Sequence, residues 1–338
     1  MKRSIKSALW SAEGGSVRLW NSDQHILKRF LPAVLVVLFL LPVYQAAAAA
    51  KTIGLILPRD CAAGSNAKDE LVKHLMAAGF SSKDIEVFVQ RPAPDKVSRL
   101  NSVRKFLSFG VDAIVMWGGT AVQEAAREAG KTPIVFLGVY DPVKEGVVKD
   151  LNAPGKNVTG VSARTSMSFL LDNILEVMKF DTLGVIYHSE IPASTVQLEE
   201  LKGLAPGKGL DIISLDAAKG GLEGADSILG PAPFLYLAQG CYVEEGQFVD
   251  LAELGKPAAT QTPGITGGGV VFTLAPDPDI LLKEASDITA RILRGEKAGK
   301  IPVSRVKKIE FTINIGEARR MGLKIPFPVL SRGTEVIK

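Results

Sequence analysis

The sequence predicts an α/β protein made of two doubly wound lobes, each built around a parallel sheet. Short apolar runs alternate with amphipathic segments along most of the chain, which is the pattern of repeated strand–helix units. The runs are nearly continuous in apolar residues, as in parallel strands that helices cover on both faces. The alternation restarts near residue 166, and 338 residues are enough for two such lobes.

The first series contains five apolar runs and three helical patterns. Asn66 and Asp69 suit a capping box at the start of the first helix, and Thr120 and Gln123 suit one at the start of the third. The predicted strands are 52–58, 85–90, 111–117, 133–139 and 157–162, and the predicted helices are 66–79, 95–109 and one that begins at Thr120.

The second series follows the same alternation and ends near the C-terminus with a strand and a short helix. A strongly amphipathic helix follows the glycine-rich turn "TGGGV" at 266–270 and ends at Gly295. The predicted strands are 182–188, 210–216, 233–239, 256–261 and 308–314, and the predicted helices are 166–179, 193–204, 244–254 and 279–293.

The first fifty residues differ from the rest in charge and hydropathy. They hold six of the 40 Lys and Arg and two of the 36 Asp and Glu, so the remaining chain carries 34 of each and has no net basic charge to attract nucleic acid. The uncharged stretch "FLPAVLVVLFLLPVYQAAAAA" at 30–50 follows Lys28 and Arg29 and ends in small residues. This pattern predicts a secretory signal peptide at 1–50. An uncleaved membrane anchor is the alternative, since the stretch is about long enough to span a bilayer.

Cys61 and Cys241 are the two cysteines of the chain. Both follow predicted strands, one in each lobe. Export would permit a disulfide, but one widely separated pair is no disulfide framework. Two unpaired thiols and one long-range bridge are both compatible with the sequence.

The residues that follow each predicted strand are the candidates for ligand binding, because ligands of open α/β sheets bind beyond the carboxyl ends of the strands. The aromatic residues among them would stack on a flat ligand or, alternatively, pack between the lobes. Asp141 precedes Pro142, which suits the first position of a helix, so Asp141 is either a cap or a ligand contact. The candidates are Arg59, Trp117, Gly119, Thr120, Tyr140, Asp141, His188, Gln239, Tyr242 and Asp277.

Signals for catalysis, metals and cofactors are weak. The chain has no G-x-S-x-G elbow, no His/Cys/acid spacing typical of a metal site, and no P-loop at 266–270. We therefore expect no catalytic residue, no metal and no cofactor. The alternative is a hydrolase or transferase that uses His188, Asp141 or Cys61, which requires at least two of them within hydrogen-bond reach.

Two stretches carry a family resemblance: "PIVFLGVYDPVKEGVVKDLNAPGKNVTGVS" at 133–162 and "FTINIGEARRMGLKIPFPVLSRGTEVI" at 311–337. Both resemble the substrate-binding proteins of ABC transporters with the type 1 periplasmic binding fold, in particular the tryptophan/tyrosine-type branch. The resemblance covers most of 51–338. It implies a periplasmic, monomeric protein whose two lobes, joined by a multi-strand hinge, close on a small solute and present it to an ABC permease at the membrane.

The same resemblance implies where the chain crosses between the lobes. The crossings are expected near 160–163, 272–277 and 306–311. The first lobe would then comprise 51–160 and 272–306, and the second lobe 161–271 and 307–338. A ligand-sensing ectodomain for a membrane signalling partner is the alternative function that the same architecture would serve.

The chain departs from the family pattern at several positions that would contact a ligand. A Thr-Pro pair usually follows the third strand, where this chain has Gly119 and Thr120, and an Asp-Asn pair often stands where it has Gly240 and Cys241. The resemblance also implies a binding role for Ser194, which matches the family pattern. These departures remove groups that would bind the ammonium and carboxylate of an amino acid. The expected ligand is therefore a small molecule that is aromatic or amino-acid-like, or another solute.

Overall fold

A computed structural model describes residues 50–58, 66–93, 95–240 and 254–338. Several sequence predictions fall outside these residues. They are the signal peptide as far as residue 49, Arg59, Tyr242, both cysteines, and the helix at 244–254 apart from its last residue.

The first sheet has six strands in the order β11-β5-β4-β3-β1-β2, and every pairing in it is parallel. Leaving out the edge strand β11, this is the doubly wound order 2-1-3-4-5. Its strands are β1 (Lys51–Ile56), β2 (Ile85–Gln90), β3 (Ala113–Trp117), β4 (Ile134–Val139), β5 (Val158–Ser162) and β11 (Ser304–Arg305).

The second sheet repeats that order as β7-β6-β8-β9-β10 and extends it with β12 and β13. Its pairings are parallel except between β10 and β12, which run antiparallel. Its strands are β6 (Thr182–Tyr187), β7 (Asp211–Asp216), β8 (Phe234–Leu237), β9 (Ala258–Thr260), β10 (Val270–Pro276), β12 (Ile309–Asn314) and β13 (Glu335–Ile337). The predicted fold class of two parallel-sheet α/β lobes is confirmed.

The described helices alternate with these strands as predicted. The α-helices are α1 (Ala67–Ala77), α2 (Lys96–Phe109), α3 (Gly119–Glu128), α4 (Met167–Val177), α5 (Pro192–Leu204), α6 (Ala225–Leu229), α7 (Pro278–Leu293), α8 (Ile315–Arg320) and α9 (Phe327–Leu330). Single 3₁₀ turns occur at Ser82–Asp84, Pro206–Lys208, Ala217–Lys219 and Ala298–Lys300.

The helix caps show where local sequence decided the boundary and where it did not. Asp95 caps α2 by accepting the Ser98 backbone N–H at 2.8 Å. The predicted capping boxes are wrong: Asn66 makes no side-chain cap, and α3 begins one residue before Thr120, with Gly118 as its N-cap. Gly118 has φ 91°, which glycine adopts without strain, and this tight turn moves the helix start forward.

Each lobe has its own apolar core. In the second lobe the rings of Phe234, Phe272 and Phe311 follow one another at centroid separations of 6.4 and 5.7 Å. In the first lobe Leu55 and Leu281 are fully buried in a cluster that joins the sheet to α7. Helix α7 therefore belongs to the first lobe, although the strand before it belongs to the second sheet.

The chain crosses between the sheets after β5, after β10 and after β11. Strand β5 stays in the first sheet through Ser162, so residues 161 and 162 lie in the first lobe and not in the second. Strand β10 stays in the second sheet through Pro276, so the crossing falls at Asp277 and the boundary at residue 272 is displaced. The predicted boundaries missed β10 because its apolar run follows directly on the glycine-rich turn.

Candidate functional site

The carboxyl ends of the parallel strands of both sheets meet where the lobes contact each other. In a 2-1-3-4-5 sheet the crevice between strands 1 and 3 is the usual ligand position. In the first lobe Trp117 ends β3, and in the second His188 and Gln239 follow β6 and β8. The Gln239 side-chain N–H donates to the Gly138 carbonyl oxygen of the first lobe at 2.9 Å, so these ends are in direct contact.

Gly138 allows Trp117 to pack closely beside this contact. It lies in β4 with φ 72°, beside an irregularity in the pairing of β4 with β5. A Cβ at this position would collide with the indole of Trp117. The glycine therefore lets the Trp117 indole approach closely the backbone whose carbonyl binds Gln239.

The turn after β4 is held by two carboxyl groups. Asp141 accepts the backbone N–H groups of Val143 and Lys144 at 3.2 and 3.1 Å. Glu145 accepts the Asp141 backbone N–H at 2.8 Å. Asp141 thus caps this segment as predicted, but residues 142–146 form turns and no helix.

Glu145 lies beneath the start of α3. Its side chain is 3% exposed, and burial raises the pKa of its carboxyl to about 7. Its Oε2 has no hydrogen-bonding partner among the described residues, and a Cβ at Gly119 would collide with that oxygen. The predicted site residue Gly119 therefore makes room for a buried acid that the sequence did not single out.

Four side chains form a polar cluster at the crossing between β5 and α4. Arg164 binds Glu200 of the second lobe at 2.9 Å and also contacts the Asp141 carboxylate. The Tyr140 hydroxyl donates to the same Glu200 carboxylate at 3.1 Å, and the Arg164 guanidinium lies 5.7 Å from the Tyr140 ring centroid. Tyr140 is fully buried, and this burial raises the pKa of its hydroxyl. Tyr140 thus takes the interlobe packing role, which was the alternative to ligand stacking.

The second lobe contributes polar groups from α5 and from the strand ends. Ser194 is fully buried and accepts the His188 backbone N–H at 2.9 Å, which fixes the turn after β6. Gln197, one turn further along α5, accepts the Gln239 backbone N–H at 2.7 Å. Among the described residues, His188 Nδ1, Gln197 Nε2 and Gln239 Oε1 are buried and have no hydrogen-bonding partner.

Two other predicted site residues lie at the starts of helices. Thr120 lies in the first turn of α3, and Asp277 caps α7 by accepting the Asp279 backbone N–H at 2.8 Å. The sequence analysis did not single out four further residues of this candidate site, which are Gln197, Arg164, Glu200 and Glu145. Gln197 lies three residues after Ser194, so the helical period would have placed it on the same face.

The described side chains offer no arrangement for acid–base catalysis between Asp141 and His188. The Asp141 carboxylate binds Arg164 and backbone N–H groups, whereas His188 binds through its own backbone N–H. No cluster of three or more His, Cys, Asp or Glu that could hold a metal occurs in the described part of the chain.

Comparison with known proteins gives a consistent result. The model of the family "ABC transporter substrate binding protein" matches residues 60–226. A tyrosine-binding protein of Clostridioides difficile is 26% identical over 259 residues, which cover 73% of this chain and 74% of the relative. An ABC domain in complex with L-Trp from Streptococcus pneumonia superposes with a TM-score of 0.77 at 20% identity, covering 86% of this chain and 100% of that one. A ligand-free, open substrate-binding protein with adhesive properties from Clostridium difficile superposes with a TM-score of 0.63 at 24% identity, covering 86% and 99%.

These matches agree in making the chain similar to the ABC transporter substrate-binding proteins. The family resemblance predicted from the two sequence stretches is confirmed, including its type 1 fold. The similar proteins bind solutes and are not enzymes, which agrees with the expectation of a non-catalytic protein. Proteins of this family typically act outside the cytoplasm. Within the described ranges, no helix has the length and apolar character needed to cross a membrane.

The first lobe also has a groove of about 670 Å³ away from the facing strand ends. Lys51, Asp112, Pro133 and Asn157 line it, and each lies at or just before the start of a strand of the first sheet. The groove therefore opens at the amino-terminal edge, opposite the edge where open α/β sheets bind ligands.

Proposed function

We propose that this protein captures a small aromatic or amino-acid-like solute between its lobes and delivers it to an ABC permease. The supporting observation is the convergence of buried polar atoms with unused hydrogen-bonding capacity at the facing strand ends: His188 Nδ1, Gln197 Nε2 and Gln239 Oε1. Buried polar groups in proteins almost always have partners. A solute bound there would supply them.

Trp117 favours a ligand with a flat or apolar part. Its ring is partly buried beside Gly138, whose carbonyl binds Gln239. An apolar surface and a hydrogen-bonding side chain therefore occur in one place. Small-molecule sites typically combine such walls with a few placed polar groups. Two similar proteins, a tyrosine-binding protein and an ABC domain in complex with L-Trp, support the same ligand class.

The first experiment is native mass spectrometry of the purified protein, followed by thermal shift with a broad metabolite panel that includes the aromatic amino acids and their amides. A bound solute stabilises the folded state by mass action, so a ligand at 100 times its Kd adds about 2.7 kcal/mol. If nothing co-purifies and no compound raises the melting temperature, the proposal is wrong.

A pair of glycine substitutions localises the site. Gly138→Ala would push a methyl group into the Trp117 ring, and we expect it to abolish the ligand-induced thermal shift. Gly110→Ala is the matched control, because Gly110 has a similar φ of 68° and nothing within 4 Å of an added Cβ. Both carry a left-handed backbone penalty of about 1–2 kcal/mol. Equal ligand responses in the two variants would exclude a site beside Trp117.

Export and delivery are tested in cells. We propose that residues 1–50 direct the chain to the periplasm, where it acts as a monomer. Fractionation of cells that express the full chain, with and without residues 1–50, measures export, and uptake of the identified solute in a deletion strain measures delivery. Normal uptake in the deletion strain, with the solute bound in vitro, would favour a sensing role over transport.

A further inference from the structure

Two glutamine side chains in the site have orientations that their partners fix. Gln197 must present its carbonyl oxygen to the Gln239 backbone, because a backbone N–H can only donate. Gln239 must present its amino group to Gly138, because a carbonyl can only accept. The assignment of oxygen and nitrogen in both amides therefore follows from hydrogen-bonding chemistry.

These orientations leave one donor and one acceptor. Gln197 keeps its Nε2 amino group and Gln239 keeps its Oε1 oxygen, and both atoms are buried without a partner among the described residues. The two side chains belong to residues linked by a 2.7 Å hydrogen bond, so the free groups lie in one part of the site. A complementary ligand offers an acceptor to the first and a donor to the second.

The charges nearby are already paired with one another. Arg164 binds both Asp141 and Glu200, and the Glu200 carboxylate also accepts the Tyr140 hydroxyl. His188 Nδ1, the third buried atom without a described partner, belongs to a side chain that acts as donor or acceptor according to its tautomer. Among the described side chains, a ligand carboxylate or ammonium placed against these two neutral amides would find no counter-charge, and a buried charge without one is unfavourable.

We propose that Gln197 and Gln239 form a neutral amide-reading pair that selects solutes with a carboxamide or lactam edge over the corresponding free carboxylates. This inference rests on the proposed solute-binding function and specifies the ligand class. The ligand carbonyl accepts from Gln197 Nε2, and the ligand N–H donates to Gln239 Oε1. It predicts that an aromatic amino-acid amide binds better than the free amino acid.

The test is calorimetry on the full-length protein with matched pairs: benzamide and benzoate, and L-tryptophanamide and L-tryptophan. We expect the carboxamide to bind at least about tenfold more tightly, which corresponds to about 1.4 kcal/mol. Gln197→Glu keeps the oxygen that binds the Gln239 backbone and replaces the free donor by an acceptor, so it should remove this preference. Asn157→Asp makes the same chemical change at the amino-terminal edge of the first sheet and should leave the preference intact.

Two results separate this inference from the proposed function. If carboxylates bind as well as carboxamides, or if a co-purified solute lacks an amide or lactam edge, the amide pair is not the determinant although the protein still binds solutes. If no solute binds at all, the proposed function fails and this inference fails with it. Should Gln197→Glu unfold the protein, Gln197→Met, which conserves volume without a charge, serves the same comparison.

Discussion

Glu145 offers a quantitative test of how the first lobe is built beside the candidate site, because its carboxyl is buried under the start of α3. Its pKa rises from an ordinary value of 4.5 to about 7, chiefly because burial disfavours the charged form. The Asp141 backbone N–H opposes this effect by donating to the carboxylate. At about 1.4 kcal/mol per pH unit, the displacement corresponds to about 3 kcal/mol as an upper estimate.

The sign follows from the number of protons bound in each state. Between pH 4.5 and 7 the folded protein keeps the Glu145 proton while the unfolded chain loses it. The contribution of Glu145 to the free energy of unfolding therefore falls as pH rises through this window, by up to about 3 kcal/mol, and is constant above it. Glu145→Gln retains an oxygen for the Asp141 backbone N–H and has no proton to lose. It should abolish this decline and stabilise the protein at pH 8.

The assay is urea unfolding at intervals from pH 5 to pH 8 for the wild type and the variant. Glu128→Gln on the same helix as Gly119 is the control, since the partly exposed Glu128 has a pKa that its hydrogen bond with Arg104 lowers, away from this window. A wild-type curve that runs parallel to the Glu145→Gln curve from pH 5 to pH 8 would refute the raised pKa.

Two further predictions concern the lobe contact and a helix start. Glu200→Gln removes the charge that Arg164 and the Tyr140 hydroxyl share, so the ligand-free protein should show a larger radius of gyration in small-angle scattering; Glu199→Gln, an exposed neighbour on α5, should not change it. Asp277→Ala removes the side-chain cap of α7 and should lower the free energy of unfolding by about 1 kcal/mol in urea titrations, and an unchanged midpoint would contradict the capping role.

Most of the strands were predictable because a strand buried on both faces is nearly all apolar, although β10 was not predicted. The run "IVFLGV" of β4 is buried at every position, and its predicted and observed bounds differ by one residue. The start of α3 was not predictable in the same way. Thr120 and Gln123 satisfy a local capping pattern. However, the buried Glu145 carboxylate leaves room only for a glycine at position 119, and the helix begins there, one residue earlier than predicted. A tertiary contact, and not the local capping pattern, thus determines where α3 begins.

The position of the candidate site follows from the predicted topology, whereas only some of its residues do. Strand ends gave Trp117, His188 and Gln239, because topology alone brings them to one edge. Gln197 acts from inside α5, and Arg164 acts from the crossing between lobes, so neither follows a strand directly. Their roles depend on partners more than 20 residues away in the chain, which a single sequence does not reveal.

The contacts between the lobes bear on how a solute could control closure. The apolar clusters of the two lobes are separate, and described hydrogen bonds across the cleft join Gln239 to Gly138 and Glu200 to Tyr140 and Arg164, beside the buried Tyr140 ring. Water replaces such bonds when the lobes separate, so a neutral bond contributes about 0.5–1.5 kcal/mol net and a bond to a charged group about 1.5–3 kcal/mol. A few such bonds give the closed state only a limited free-energy advantage over an open one. A solute that also satisfies the buried amides of Gln197 and Gln239 would therefore decide the equilibrium, since its differential affinity for the closed state sets the extent of the shift.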